Sequence, residues 1–182
     1  MNLIKKTILV LSCLIMAACS NQANDATEQA AKDVISRFAE QDLNIELCAD
    51  LPKTDEGCDQ FTTSVNNGRL TIHGSSGVAL CRGFYDYAKS HDAVISSWSG
   101  KRCELPEQLT DTDEKHIISP FAHHYYFNVG TYGYTMPYWD WSRWEAEIDW
   151  MALHGIDMPL LLIAQEQAYR EVFYDMGLSK VE

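Results

Sequence analysis

The first half of the chain alternates between helical and strand-like spacings of apolar residues. Ala31, Val34, Ile35 and Phe38 recur at helical spacing, which predicts an amphipathic packing helix over about 27–41. Segments in which apolar and polar residues alternate indicate short strands. They lie at 43–47, 60–65 and 69–73.

A turn and a second helix complete this half. Asn66-Asn67-Gly68 separates the last two strands, and its Asn-Gly pair favours the positive-φ turn of a β-hairpin. Gly74-Ser-Ser-Gly77 then opens a helix, and a strand at about 93–98 follows. We expect a small α+β domain in which nothing suggests catalysis. The apolar face of its second helix carries Val78, Cys81, Phe84, Tyr85 and Ala88.

The pattern changes after a polar, acidic segment at 110–115, which we interpret as a linker. A β-rich run and a helix follow, and the continuous apolar strand at 158–164 precedes another helix. Such a strand is typical of a parallel sheet covered on both faces. The sequence therefore predicts two successive βα units. They comprise 123–129, 141–154, 158–164 and 167–176.

The first of these helices carries its own signals. Ser142-Arg-Trp-Glu145 matches the capping-box pattern for its start. Trp144, Ile148 and Met151 lie on one stripe. An eight-fold βα barrel needs about 250 residues, whereas about 65 follow the linker. We therefore expect an α/β protein with a small α+β domain and the first two βα units of an incomplete (β/α)8 TIM barrel.

The N-terminus has the pattern of an export signal. Lys5 and Lys6 precede the apolar run 7–18, which is too short for a stable membrane span. Residues 15–19, Ile-Met-Ala-Ala-Cys, resemble the lipobox of bacterial lipoproteins, so we expect Cys19 to be lipidated. A plain secretory signal is the alternative. The expected location is the bacterial cell envelope, with a lipid anchor in the membrane.

These patterns together predict four segments along the chain. They are a signal peptide at 1–18, a polar tether at 19–27, the α+β domain at 28–109 and the start of the barrel at 116–182.

Charge and cysteine content narrow the possible partners. The 14 Lys and Arg against 26 Asp and Glu give a formal net charge of -12, with no basic cluster, so we expect no nucleic-acid partner. Export favours disulfides, with buried free thiols as the alternative. We expect no zinc site, because there is no C-x-x-C pair and His73 is the only nearby imidazole, and no ligand cluster indicates a cofactor. The favoured pairs are Cys48 with Cys58 and Cys81 with Cys103.

Candidate binding residues follow the two predicted barrel strands, since barrel chemistry gathers at the carboxyl ends of strands. Asn128 and Gln165 offer donors and acceptors for sugar hydroxyls, and Trp139 can stack on a sugar ring. Glu166, directly after Gln165, is a further candidate binding residue. Gly130 lets the backbone approach a ligand. These residue types favour a carbohydrate ligand. The alternative is that the aromatic residues only pack in the core or between domains. These residues are Tyr132, Tyr134, Trp139, Trp141 and Trp144.

Three motifs carry a resemblance to a known family. They are Tyr125-Tyr-Phe-Asn128-Val, the tryptophan-rich and acidic string 138–156 (YWDWSRWEAEIDWMALHGI), and Gln165-Glu166. The chain resembles the α-N-acetylglucosaminidase family, glycoside hydrolase family 89. Gly74-Ser-Ser-Gly77-Val and Trp98-Ser-Gly are similar to its small N-terminal domain, so the likeness spans roughly 68–182.

The resemblance implies retaining hydrolysis of terminal α-linked N-acetylglucosamine on a glycan. Asn128 matches a position that lines the sugar pocket, and Gly130 stands where relatives can carry cysteine. The family's acid/base and nucleophile are carboxylates on later barrel strands, so this chain alone is expected to be inactive. None of its nearby acids is expected to be catalytic, and those on the helix are expected to be solvated or salt-bridged. These acids are Glu145, Glu147, Asp149 and Glu166.

A second hypothesis is a non-catalytic, surface-anchored lipoprotein that binds glycans through Trp139 and the neighbouring aromatic residues. Turnover separates the two, because an enzyme releases N-acetylglucosamine and a binder only retains the glycan. The sequence leaves the natural glycan and the oligomeric state open.

Overall fold

The computed structural model describes residues 23–97, 99–126, 130, 135–160 and 165–178. The segment expected to be a signal peptide, 1–18, and Cys19 lie outside these residues. Helix α1 covers 23–39, so 23–27, expected to belong to a flexible tether, are helical. In the part of the chain described, no helix is both long and apolar enough to cross a membrane.

A four-stranded sheet with two helices packed on it forms the first half. Its strand order is β1-β3-β2-β6, and β4 and β5 form a separate antiparallel pair. The elements are β1 (Ile45–Cys48), β2 (Gln60–Asn66), β3 (Arg69–Gly74), α2 (Gly77–Ser90), β4 (Val94–Ser97), β5 (Gly100–Cys103) and β6 (Thr112–Ile118).

The predicted hairpin between β2 and β3 is confirmed. Asn67 and Gly68 both have positive φ, 51° and 71°, as a type I′ turn requires. The turn sets the register Val65 with Leu70. That register directs alternate residues of both strands into the core.

The core lies between this sheet and the two helices. Ile35 of α1, Ile72 of β3 and Phe84 of α2 are almost fully buried there. Helix α2 approaches the sheet closely at Gly83, where a Cβ atom would lie 2.8 Å from Ile72 Cγ2. Only glycine allows this approach, because such a contact is far below van der Waals distance.

The linker expected at 110–115 is wrong from Thr112 onward. Strand β6 pairs antiparallel with β2, with Phe61 opposite Ile117, and the backbone N–H of Val65 donates to Thr112 Oγ1 at 3.2 Å. Most of the β6 side chains are exposed. Charged, exposed residues are common on edge strands, which is why this strand has the composition of a linker.

The four cysteines that the structure describes are all free thiols, so neither of the two expected disulfides is formed. Cys81 lies on the buried face of α2, with its Sγ 3.9 Å from the carbonyl oxygen of Ala31 in α1. Cys103 ends β5 opposite Val94. Cys48 ends β1 opposite His73. Burial raises the pKa of the Cys81 thiol to about 12.

The second half begins with two parallel strands separated by a helix. The helix packs on α2, and its residue Leu153 is fully buried in the core of the first half. The two halves therefore share packing. The elements are β7 (Tyr125–Tyr126), a 3₁₀ turn (Met136–Tyr138), α3 (Trp141–Leu153), β8 (Met158–Pro159) and α4 (Gln165–Asp175).

Helix α3 begins and packs differently from the sequence prediction. Its N-cap is Asp140, whose carboxylate accepts from the backbone N–H of Arg143, so the expected capping box at Ser142 is wrong. Ile148 is exposed, whereas Glu147 and Asp149 are buried. The expected apolar stripe is therefore wrong at Ile148, because this helix buries acids that meet arginines.

Candidate functional site

The two barrel strands leave the same edge of their sheet. β7 and β8 are parallel, with Tyr126 opposite Pro159, and the backbone N–H of Leu160 donates to the Tyr126 carbonyl at 2.9 Å. In parallel strands the carboxyl ends meet at one edge. The carboxyl ends of β7 and β8 therefore lie side by side, and the predicted binding residues follow these two strands in the sequence.

The structure places some of these residues and leaves others undescribed. Gly130 is exposed, and Trp139 is half-buried directly before the cap of α3. Gln165 and Glu166 are the first two residues of α4, and their side chains lie outside the described residues, as does Asn128. The described site thus consists of Trp139 and the side chains that hold it.

Trp139 is fixed by the first turns of α3. The Arg143 guanidinium carbon lies 4.2 Å from the centre of its ring, and the Trp144 ring meets it edge-on at 4.9 Å between centroids. Asp140 anchors this turn by accepting from Ser142 Oγ at 2.8 Å and from the Arg143 backbone N–H at 3.0 Å. These hydrogen bonds hold the pKa of Asp140 below its ordinary value.

A buried glutamate connects this turn to the first barrel strand. Glu147 is 2% exposed. It accepts from Arg143 Nη2 at 2.8 Å and from the Tyr126 hydroxyl at 2.9 Å. Burial and the Glu147 carboxylate raise the pKa of Tyr126 to about 12. Tyr126 contacts Glu147, Glu147 contacts Arg143, and Arg143 contacts the Trp139 ring. These contacts hold the Trp139 ring in a fixed position relative to strand β7.

A second acid on α3 joins the two halves of the molecule. Asp149 accepts two hydrogen bonds from Arg37 of α1, at 2.8 Å from Nε and 2.7 Å from Nη2. Glu145 lies farther from the same guanidinium, at 3.8 Å. This geometry is the planar, bidentate pairing for which arginine is suited. The acids of α3 were expected to be solvated or salt-bridged, and salt bridges are confirmed for Glu145, Glu147 and Asp149. Glu147 and Asp149 are buried and therefore not solvated.

A cavity of about 360 Å³ lies beside this ion pair. Its charged lining is already paired, since Arg37 meets Asp149 and Lys101 Nζ lies 2.7 Å from Glu40. It is on the side of α3 that faces the first half of the molecule. We therefore interpret it as part of the interface between the halves and not as the sugar site.

Another acid fixes the amino ends of the strands. Asp157, just before β8, accepts from the His124 backbone N–H at 2.6 Å and lies 2.7 Å from His123 Nδ1. Burial opposes ionisation, but these partners outweigh it and lower the pKa of Asp157. These contacts hold the amino ends of β7 and β8 together, and the candidate site lies at their carboxyl ends.

Comparison with protein families agrees with this two-part organisation. Residues 29–110 match the α-N-acetylglucosaminidase N-terminal domain, and residues 124–182 match the TIM-barrel domain of the same family. The chain belongs to this family. The resemblance seen in the sequence is therefore confirmed, and the barrel family explains the parallel pairing of β7 with β8.

Similar proteins include one human enzyme and bacterial structures. Human α-N-acetylglucosaminidase is 38% identical over 115 residues, which are 63% of this chain and 16% of the human protein. A family 89 glycoside hydrolase from Clostridium perfringens, in complex with 2-acetamido-1,2-dideoxynojirimycin, is 29% identical with a TM-score of 0.76. That match covers 88% of this chain and 18% of the bacterial one.

A further structure of the C. perfringens protein contains a substrate. In that variant two glutamates are replaced by glutamine, and the complex holds its substrate GlcNAc-α-1,4-galactose. It is 30% identical, has a TM-score of 0.76 and again covers 88% of this chain and 18% of its own. The chain thus spans less than a fifth of the length of these relatives.

Proposed function

We propose that this chain is the N-terminal domain and the beginning of the catalytic barrel of an α-N-acetylglucosaminidase. The observation that carries the proposal is the match of both halves, in order, to the two domains of this family. The substrate in the bacterial relative supports terminal α-linked N-acetylglucosamine as the group removed.

The reaction we propose is a retaining hydrolysis. It needs two carboxyl groups about 5 Å apart, one to protonate the leaving oxygen and one to form a glycosyl-enzyme that water then hydrolyses. Glu147 and Asp149 do not suit these roles, because each is buried against an arginine. We propose that both catalytic carboxylates lie on barrel strands outside these 182 residues.

The contribution of this chain is to bind the sugar. Trp139 offers a flat apolar surface for one face of the ring, and Asn128 and Gln165 offer hydrogen bonds to its polar groups. The position of these residues after neighbouring parallel strands supports this role. Gly130 leaves room in the loop where relatives can carry a cysteine.

We also propose export to the bacterial cell envelope with a lipid on Cys19. The support is the basic start, the short apolar run and the small residues directly before this cysteine. A Cys19→Ala variant tests the proposal, because it should lose palmitate labelling and leave the membrane fraction. Equal labelling of the variant and the unaltered protein would contradict lipidation at Cys19.

The enzymatic proposal is tested with paired synthetic glycosides. The product of the complete reading frame is incubated with 4-nitrophenyl α- and β-N-acetylglucosaminide, and the 182-residue chain is assayed beside it. We expect the complete product to release nitrophenol from the α-anomer and the 182-residue chain to release none. Retention on immobilised glycan without release by the complete product would instead support the glycan-binding hypothesis.

A further inference from the structure

The outer face of the four-stranded sheet carries a cluster of three different metal-binding side chains. β1 and β3 are parallel, and their register pairs Cys48 with His73. The preceding pair, Leu47 with Ile72, points to the core, so alternation places the Cys48 and His73 side chains on the opposite face. They are thus neighbours although 25 positions separate them in the sequence.

Asp50 completes the cluster two residues after β1. Both of its carboxylate oxygens lie 2.9 Å from His73 Nδ1. One ligand atom from each of Cys48, Asp50 and His73 lies within 4.8 Å of the others. Bonds of about 2.0–2.3 Å in a tetrahedral zinc site put neighbouring ligand atoms roughly 3.3–3.7 Å apart. Closing the cluster around an ion therefore needs a movement of about 1 Å.

The backbone that carries these ligands is held in place. Ala49 lies between Cys48 and Asp50, and its backbone N–H donates to Glu28 Oε1 of α1 at 2.8 Å. The Leu51 N–H donates to the carbonyl of Gly74, the residue after His73, at 3.3 Å. These bonds fix the spacing of the three ligands before any ion binds, which lowers the entropy lost on binding.

The cluster is open to ions and its surroundings are acidic. The Asp50 side chain is 53% exposed and that of His73 is 35% exposed. The carboxylates of Glu28 and Glu46 are near Cys48, although Glu46 also pairs with Arg69 at 3.2 Å. A divalent cation would offset this negative charge.

We propose that Cys48, Asp50 and His73 bind a divalent cation of the zinc class, with a water molecule as the fourth ligand. A thiolate, an imidazole and one carboxylate suit Zn²⁺, whereas Mg²⁺ and Ca²⁺ require oxygen ligands throughout. On binding, the thiol proton passes to solvent and the metal–sulfur bond replaces the S–H bond. Metal bonds replace the hydrogen bond between His73 and Asp50, and the neutral imidazole keeps its one proton on the nitrogen that does not bind the ion. The bound ion joins edge strand β1 to β3.

No zinc site was expected from the sequence, because no pair of these ligands has a zinc-motif spacing. Cys48 ends β1 and Asp50 follows two residues later, but the third ligand comes from β3, which follows an intervening loop and β2. The register of β1 with β3 creates the site, and register between distant strands is not visible in a local pattern.

Cobalt binding tests the proposal, because a thiolate bound to Co²⁺ gives a charge-transfer band in the near ultraviolet. The complete gene product is purified with a chelator, kept reduced and titrated with Co²⁺. We expect the band to saturate at one Co²⁺ per molecule and to disappear when Zn²⁺ is added. Absence of the band from the folded, reduced protein would overturn the proposal.

Variants identify the ligands. Cys48→Ser should abolish the band, and Asp50→Asn and His73→Gln should each weaken Co²⁺ binding at least about tenfold. Cys58→Ser is the matched control, since Cys58 is also a half-buried free thiol but lies outside the cluster, and it should keep the band. A band that survives Cys48→Ser, in protein with unchanged circular dichroism, would overturn the assignment.

Discussion

The hydroxyl of Tyr126 donates to Glu147 Oε1 at 2.9 Å, which joins the first barrel strand to the helix that follows it. The same carboxylate group accepts from Arg143, whose guanidinium covers the Trp139 ring. A binding surface needs such support, because a side chain that contacts a ligand must itself be held in place. We expect the stability of the molecule and its affinity for sugar to depend on Glu147.

Replacing Glu147 by alanine should be strongly destabilising. The change leaves Arg143 and the Tyr126 hydroxyl without this partner in a partly buried site, at a cost of about 2–3 kcal/mol. Glu145→Ala is the matched control on the same helix, because the Glu145 side chain is 39% exposed and its pair distance is 3.8 Å. Urea unfolding followed by circular dichroism measures both, and equal losses would contradict this role of Glu147.

The bidentate pair of Arg37 with Asp149 should stabilise the packing of the two halves. Arg37→Ala leaves a carboxylate that is only 9% exposed without its partner, and we expect a loss of about 2–3 kcal/mol. Arg37→Lys should recover part of it, because lysine keeps the charge but not the planar fork.

Arg69→Ala is the control for this pair. Arg69 lies 3.2 Å from Glu46, and the two side chains are 55% and 50% exposed, so its loss should cost about 1 kcal/mol or less. Urea unfolding again gives the comparison. A larger loss in Arg69→Ala than in Arg37→Ala would contradict the importance of the buried pair.

The free energy of unfolding above pH 10 should depend on the ionisation of Tyr126. Burial and Glu147 raise the pKa of Tyr126 from 10.0 to about 12. A raised pKa favours the neutral form in the folded state, so this contribution is complete below pH 10 and is lost as the pH rises through about 12. Tyr126→Phe should therefore lose less stability than the unaltered protein between pH 10 and pH 12. Parallel curves for the two proteins would contradict this coupling.

Trp139 should affect sugar binding more than stability. In the complete gene product, Trp139→Ala removes the proposed stacking surface, and we expect KM for an α-linked N-acetylglucosaminide to rise about tenfold, as loss of one stacking contact predicts. Trp141→Ala is the control, because Trp141 is 69% exposed on the outside of the first helical turn. Equal KM values for the two variants would argue that Trp139 only packs.

Local signals explain what could be predicted from sequence. Asn67 and Gly68 determine the hairpin turn by themselves, and the helical spacing from Ala31 to Phe38 identifies α1. Family motifs identified the barrel. Strand β6 was missed because edge exposure gives it the composition of a linker, and its pairing with β2 is non-local.

The side chains that hold Trp139 in place could not be predicted either, because their contacts are also non-local. Glu147 is an acid on a helix, which usually indicates exposure, and its partner Tyr126 lies on a separate strand. Arg143 and Glu147, four positions apart, were the available local signal. Asp149 meets Arg37 across 112 positions, a contact that no spacing rule contains.

The stereochemistry of hydrolysis tests whether the protein is a retaining α-N-acetylglucosaminidase. The product of the complete reading frame is mixed with GlcNAc-α-1,4-galactose, and proton NMR follows the anomeric signals from the first minutes. We expect N-acetylglucosamine to be released first as the α-anomer, because two successive displacements retain the anomeric configuration. Initial release of the β-anomer would contradict the retaining mechanism, and no release by the folded protein would contradict the assignment as an α-N-acetylglucosaminidase.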